Sequence, residues 1–237
     1  MVDIHTHILF RFDDGPKTID DSFALLRMMA SYAVTDIVST SHYYSAHMSL
    51  DDFVDRRTRR LAELREALST QNLPLRIHHG AEVYIDKLIL NQKKLDALCF
   101  EGTRNVLLEI PHGATNLDEM LLLIEQIISY YNVNPVIAHV ERYDFFVKKI
   151  KNLQFLKDMG CVLQADAACF LEGFRDKRFA FKALNAGYLD VVASDCHDTA
   201  QRAPNLTAAY EAIRKKCGED AVALLQENAR RLICASC

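Results

Sequence analysis

The strongest constraint on this chain is an alternation, repeated along its length, of short β-branched or apolar runs with longer amphipathic stretches. Strand candidates are 2–4, 36–40, 75–83, 106–110, 135–138, 161–164 and 189–193. Helical patterns lie between and after them, near 19–32, 50–68, 117–128, 147–159, 179–185, 206–216 and 221–232. Ser49-Leu50-Asp51-Asp52 has the form of a capping box, and Phe53, Leu61, Leu64 and Leu68 then recur at roughly helical spacing. Gly160, Gly187 and Gly218 fall where helices should stop. A strand followed by a helical crossover returns in the same direction, so repeated units of this kind predict a parallel sheet. About seven units in one domain spanning 1–237 suit an α/β fold, a distorted TIM-like (β/α)7 barrel. The phosphate-binding G-x-G-x-x-G and Walker A loops are absent from the sequence, which weakens a nucleotide-binding open sheet.

The polar residues are placed with the same regularity. His5 and His7 follow the first strand and His42 the second. Glu82 ends the third, Glu109 the fourth, His139 the fifth, and Asp195 with His197 the seventh. Asp13 and Asp14 lie in the Asp-Asp-Gly-Pro turn after the first strand. In a parallel barrel the carboxyl ends of the strands share one rim, and that rim carries the chemistry. Ligand-type side chains scattered over most of the sequence would therefore converge. A lone histidine at a strand end is usually structural, but joint placement at successive strand ends points to metal. Imidazoles with carboxylates suit Mn, Fe or Zn better than a thiolate-selective site. A set this large could hold two or three ions, with Glu82 or Glu109 as the bridge. His78 and His79 are expected to be structural, and His47 and His112 are rim candidates.

The segment Ala193–Arg202, ASDCHDTAQR, admits a competing reading, because Cys196 and Arg202 match the C-x5-R spacing of cysteine-dependent phosphatases. Such loops wrap phosphate in successive backbone N–H groups and rely on small residues and a helix N-terminus that lowers the thiol pKa. The residues between are His-Asp-Thr-Ala-Gln, without glycine. Strand alternation would aim Asp195 and His197 to one side and Cys196 to the other. Cys196 is therefore expected to be a bystander. Arg202, and Arg142 three residues after His139, sit in loops beside the proposed ligands. A guanidinium presents a rigid fork matched to phosphate oxygens, so metals with two arginines point to a phosphoester.

Bulk properties fit this picture. A net charge of −4 gives no support to nucleic-acid binding or to an anionic membrane. No apolar run is long enough for a membrane span, and the polar start is unlike a signal peptide. Seven scattered cysteines suggest a reducing cytoplasm, and the Cys234/Cys237 pair at the end reads as incidental.

These motifs resemble the PHP (polymerase and histidinol phosphatase) superfamily. Within it they are most similar to the bacterial manganese-dependent protein-tyrosine phosphatases of capsule and exopolysaccharide operons (the CpsB/YwqE type). The resemblance rests on Val2–Leu9, Asp13–Pro16, Ser39–His42, Gly80–Glu82, Leu108–Glu109, Pro135–His139, Glu141–Tyr143 and Ala193–Asp195 with His197, in order along the chain. It implies the PHP fold, a distorted seven-stranded barrel with its active site at the carboxyl ends of the strands, and three divalent metal ions, manganese in the first instance with Fe or Zn as alternatives. It would place His5, His7, Glu82 and Asp195 on one ion, Glu82, Glu109 and His139 on a second, and Asp14, His42 and His197 on a third. Arg142 and Arg202 would grip the phosphate. The implied partner is the tyrosine-rich C-terminal tail of a phosphorylated bacterial tyrosine kinase. Phe10-Arg11 and Asp166 depart from the usual pattern without removing a ligand.

The expected reaction is phosphomonoester hydrolysis, with a metal-activated hydroxide as nucleophile and the arginines neutralising the phosphoryl oxygens. Two other substrate readings stay open: a small phosphate ester such as histidinol phosphate, and an amidohydrolase-type reaction, whose barrels also open with H-x-H but bridge their metals through a modified lysine. A non-catalytic regulator that keeps the barrel is a further class.

Overall fold

The structure, a computed structural model, describes residues 1–69, 71 and 73–234. Its strands are β1 (Val2–Thr6), β2 (Asp36–Ser39), β3 (His42–Tyr43), β4 (Arg76–His79), β5 (Glu82–Tyr84), β6 (Asn105–Glu109), β7 (Asn134–Ile137), β8 (Val162–Asp166) and β9 (Val191–Ala193). The helices are α1 (Ile19–Ser31), α2 (Leu50–Ser69), α3 (Leu117–Tyr131), α4 (Asp144–Lys148), α5 (Leu153–Asp158), α6 (Phe174–Asn185), α7 (Leu206–Cys217) and α8 (Glu219–Ile233). Cys237, one half of the terminal cysteine pair, lies outside the described residues.

All strand pairings are parallel, in a three-stranded ladder β1-β2-β4 and a six-stranded ladder β3-β5-β6-β7-β8-β9. The two ladders are continuous in space. Two residues separate β2 from β3 and β4 from β5, and backbone bonds cross those gaps from Gly80 N to Ser39 O and from Glu82 N to Thr40 O, both 3.0 Å. On the other side, β1 is tied to the chain beyond β9 by Asp195 N to His5 O and His7 N to Cys196 O, both 2.9 Å. The fold is thus a mixed α/β arrangement of parallel strands in barrel-like order, as the alternation predicts.

Side chains sort by the two-residue period of the strands. One cluster takes Val2, Ile4, Val38, Leu107, Val136, Ala138, Val191 and Ala193. The intervening Ile37, Val106, Leu108, Ile137 and Val192 belong to the larger cluster that the helices cover. Burial on both faces explains why the strands read as nearly continuous apolar runs. Ala229 and Leu232 of α8 join the smaller cluster. Asn105 Nδ2 donates to Leu232 O at 2.7 Å and Asn228 Nδ2 to Asp190 O at 3.0 Å, so α8 is pinned where β6 and β9 begin. Apolar packing therefore occupies one end of the strands and leaves the other end for polar residues.

Two expected elements are corrected. The strand expected over 75–83 breaks at Gly80-Ala81. A Cβ at Gly80 would lie 2.9 Å from both Phe100 Cδ1 and Val38 Cγ1, so the backbone here approaches its neighbours as only glycine permits. The break turns the chain, and Glu82 begins a new strand beside His42 rather than ending the old one. The helix expected over 147–159 is two short helices, α4 and α5, separated at Lys149, whose backbone leaves the helical region (φ −136°, ψ 85°). Asn152 Nδ2 holds the break by donating to Phe145 O at 2.9 Å. The apolar period persisted through a stretch whose local hydrogen bonds favour a turn.

Gly80→Ala should destabilise the protein by about 1–3 kcal/mol through overpacking. A chemical-denaturation midpoint indistinguishable from that of the parent would refute the tight-approach account.

Candidate metal centre

Backbone geometry delivers the side chains to one rim. His5 is the penultimate residue of β1, and Glu109 closes β6. His139 and Asp195 follow β7 and β9 in left-handed backbone conformations, φ 35° and 50°. Such angles are uncommon for residues other than glycine and concentrate at functional sites. Here they are held by His139 N donating to Gln164 Oε1 at 2.8 Å and by the Asp195 bond to His5. The alternation argument for Asp195 and His197 is therefore corrected: β9 has ended at Ala193, and a left-handed turn, not a strand pleat, aims the two side chains.

All nine expected ligand residues meet. His5 Nε2 lies 3.2 Å from both Glu82 Oε2 and Asp195 Oδ1, and His7 Nε2 lies 3.1 and 3.4 Å from the same two oxygens. The two imidazole nitrogens are 3.3 Å apart. Ligands bound at about 2.0–2.2 Å in a tetrahedron stand roughly 3.3–3.6 Å from one another, so this group has the spacing that one ion imposes. Glu82 Oε2 and Asp195 Oδ1 are buried without a hydrogen-bond donor, as are Glu109 Oε2 and His197 Nε2. Orphaned buried oxygens that face imidazole nitrogens are what a cation satisfies and what water-excluded packing alone does not.

Two further groups adjoin the first. His7, Asp14, His42 and His197 place one ligand atom each within 4.8 Å of one another, and so do His42, Glu82 and Glu109. Asp14 Oδ1 lies 3.1 Å from His197 Nε2 and 3.5 Å from His42 Nε2. The division implied by resemblance placed His139 with Glu82 and Glu109. In the structure His139 Nε2 is 2.9 Å from Glu82 Oε1 and 3.8 Å from Glu109 Oε1, while His42 completes the tight triangle. Glu82 touches every group but one through its two oxygens.

Orientation of the imidazoles is set from behind, by Gln164 and Tyr143, which the sequence pattern did not select, and by Asp13, which it grouped with Asp14 as a candidate ligand and which stands behind His7 instead. His5 Nδ1 lies 3.3 Å from Gln164 Oε1, His7 Nδ1 2.9 Å from Asp13 Oδ2, His139 Nδ1 3.1 Å from Tyr143 Oη and His197 Nδ1 2.9 Å from Asp195 O. An amide, carboxylate or carbonyl oxygen on Nδ1, as at His5, His7 and His197, fixes the tautomer that leaves Nε2 free for a cation. Asp13 also accepts from the backbone N–H groups of Gly15 and His42. Gln164 and Tyr143 could have been found only by their polarity on otherwise apolar strand and loop runs.

Electrostatics follow the geometry. Burial disfavours charge on Glu82 and Asp195, but His5 and its neighbours outweigh it and hold both carboxyls well below the usual range. Burial and the adjacent Glu82 carboxylate push Glu109 the other way, upward. Burial opposes charge on His42, yet the adjacent Asp14 and Glu82 carboxylates raise its pKa to about 9.

The arginines flank the group. Arg142 and Arg202 both donate to Asp195 Oδ2, the latter at 2.8 Å, while Asp195 Oδ1 faces the histidines. Arg202 also donates to Asp14 Oδ2 at 3.1 Å and Arg142 to Asp166 Oδ2 at 2.5 Å. Of the remaining histidines, His112 is exposed with Nε2 3.4 Å from Glu109 Oε1, and His47 lines a cavity beside His42. His78 and His79 pair with Asp36 and Glu101, away from the centre.

A sequence model for capsular polysaccharide synthesis, CpsB/CapC, matches residues 1–234. The chain belongs to the CpsB/CapC family. It is 33% identical to the tyrosine-protein phosphatase CpsB of Streptococcus pneumoniae over 98% of both chains. It is 27% identical to the tyrosine-protein phosphatase YwqE of Bacillus subtilis over 98% of this chain and 91% of the other. A solved structure from work on YwqE and CpsB, described there as unique metal-dependent tyrosine phosphatases, superposes with a TM-score of 0.83 at 24% identity, covering 100% of this chain and 96% of that one. An organophosphorus hydrolase from Deinococcus radiodurans shares the fold more distantly, with a TM-score of 0.60 at 12% identity, covering 98% and 92%.

In this CpsB/CapC chain Cys196 is fully buried, with its sulfur 4.0 Å from Met29 Sδ in the helix-covered core. Burial, with Asp3 nearby, pushes its thiol pKa well above the ordinary value. A buried, protonated thiol is neither a nucleophile nor a metal ligand. Gln164→Leu, which removes the oxygen behind His5, should weaken divalent-metal binding about 10–100-fold, while Cys196→Ser leaves it within about twofold. Calorimetric titration of the metal-free protein with manganese checks both, and equal losses in the two variants would contradict the assignment.

Proposed function

We propose that this chain is a metal-dependent protein-tyrosine phosphatase, a phosphoric monoester hydrolase acting on the tyrosine-rich tail of a bacterial tyrosine kinase. In this reading residues 1–237 form one cytoplasmic catalytic domain that regulates capsular or exopolysaccharide synthesis. Membership of the CpsB/CapC family and the names of its relatives support the reaction class. No described helix is long and apolar enough to cross a membrane. We take His5, His7, Asp14, His42, Glu82, Glu109, His139, Asp195 and His197 as ligands to three divalent ions, manganese first and Fe or Zn as alternatives.

One observation carries the phosphate assignment. Two guanidinium groups converge on the outer oxygen of a carboxylate whose inner oxygen faces the histidines. A phosphoryl group drawn to that centre meets both forks at once. Bound divalent ions supply the Lewis acidity that generates a nucleophile from water near neutral pH. Arg142 and Arg202 bind and orient the phosphoryl oxygens and compensate the charge that grows on them as the ester bond breaks. Asp166, held by Gln164 Nε2 at 2.9 Å, positions Arg142. Tyrosine leaves as an aryl oxide, a stable leaving group that needs little proton assistance.

Hydrolysis of a phosphotyrosine peptide should require manganese and stop with chelator. Asp195→Ala and His197→Ala should each lower kcat/KM by at least about 100-fold, whereas Cys196→Ser retains most of the activity. The opposite pattern would restore the cysteine mechanism, and a strong preference for histidinol phosphate over the peptide would replace the substrate.

A further inference from the structure

An aryl phosphate joins its ring to phosphorus through a single oxygen, so the ring must occupy a space that shares a wall with the metal centre. Two cavities have proposed ligands in their walls and another reaches Arg142, and they differ in chemistry. The one beside Arg142, about 680 Å³, is lined by Glu141, Asp144, Asp166, Glu172 and Arg175 among others. The one beyond His197, about 260 Å³, meets Lys17, Asp21 and Asp198. The third, about 400 Å³, opens at Asp14 and His42 and is walled by Phe12, Tyr43, Tyr44, His47, Met48 and Phe53.

We infer that this third cavity is the subsite for the aromatic ring of the substrate, with Tyr44 and Met48 as its specificity-determining residues. The inference rests on the phosphatase reading for the location of the phosphoryl group and adds where the leaving group lies. Tyr44 stands at the junction: its ring centroid is 5.4 Å from that of His42, 5.6 Å from His47 and 5.2 Å from Tyr84. Phe53 packs edge-on against Phe12 and Tyr43 at 5.3 and 5.1 Å, which gives the cavity a rigid aromatic floor. Met48 adds a polarisable sulfur of the kind that contacts ring edges favourably. Asp14 forms part of the mouth and accepts from Arg202, so a phosphate held by that arginine lies one residue from the aromatic wall. A flat apolar ring gains by leaving water for such walls and gains nothing in the two charged cavities.

The test is binding of phenylphosphonate and methylphosphonate to the manganese-loaded protein by calorimetry. These probes share the anionic head and differ in the ring. The parent should bind the phenyl compound about tenfold more tightly. Tyr44→Leu and Met48→Ala should cut that ratio by about three- to tenfold, in line with the loss of ring contacts, while methylphosphonate affinity stays within about twofold. Arg175→Ala, in the charged cavity, should keep the ratio. Absence of a phenyl preference in the parent overturns the subsite, as does a preference lost in Arg175→Ala and kept in Tyr44→Leu. Phosphotyrosine hydrolysis measured on the same samples separates the two readings. Hydrolysis without phenyl preference sinks the subsite alone, and a Tyr44-dependent preference without hydrolysis supports the subsite and sinks the phosphatase reading.

Discussion

Burying a carboxylate as deeply as Glu82 costs several kcal/mol unless positive charge faces it, and this chain buries Glu82, Glu109 and Asp195 within one rim. The histidines answer that cost only partly, and Glu109 is left crowded by Glu82. The rest of the structure can be understood as support for this concentration of like charge. The strand breaks at Thr40-Ser41 and Gly80-Ala81 bring His42 and Glu82 into register, and the left-handed turns at His139 and Asp195 bend two more ligands inward. Apolar packing with α8 closes the opposite end of the strands.

That these side chains would converge was legible in the sequence because strand ends can be read from where an apolar run stops, and parallel topology does the rest. The way each side chain is aimed was not. Asp195 and His197 are two residues apart and do converge, but through a φ of 50° that no alternation rule anticipates. The same limit hid the break at Gly80, where Phe100 and Val38 leave no room for a Cβ. The helix expected over 147–159 failed because its apolar period is shared by two short helices whose junction is fixed by one asparagine. Gln164, Asp13 and Tyr143 were missed as supports for a more general reason: a residue that acts by holding another carries no spacing of its own.

Cys196 shows how the two kinds of information combine. Its neighbours in the chain match a phosphatase signature, yet its neighbours in space are a methionine sulfur and apolar core. The arginine that completes the signature does reach the site, and it does so from a different direction, by way of Asp14 and Asp195.

The chain of contacts through Gln164 has a mechanical consequence. Its carboxamide oxygen accepts from the ring of His5 and the backbone of His139, and its amide nitrogen donates to Asp166, which holds Arg142. One short side chain is thereby a common fulcrum for two imidazoles proposed to hold metal and one guanidinium proposed to hold phosphate. A shift of β8 by a fraction of an ångström would tilt all three together, so in the proposed enzyme cation affinity and anion grip would form one adjustable property of that strand and not two that can be tuned apart.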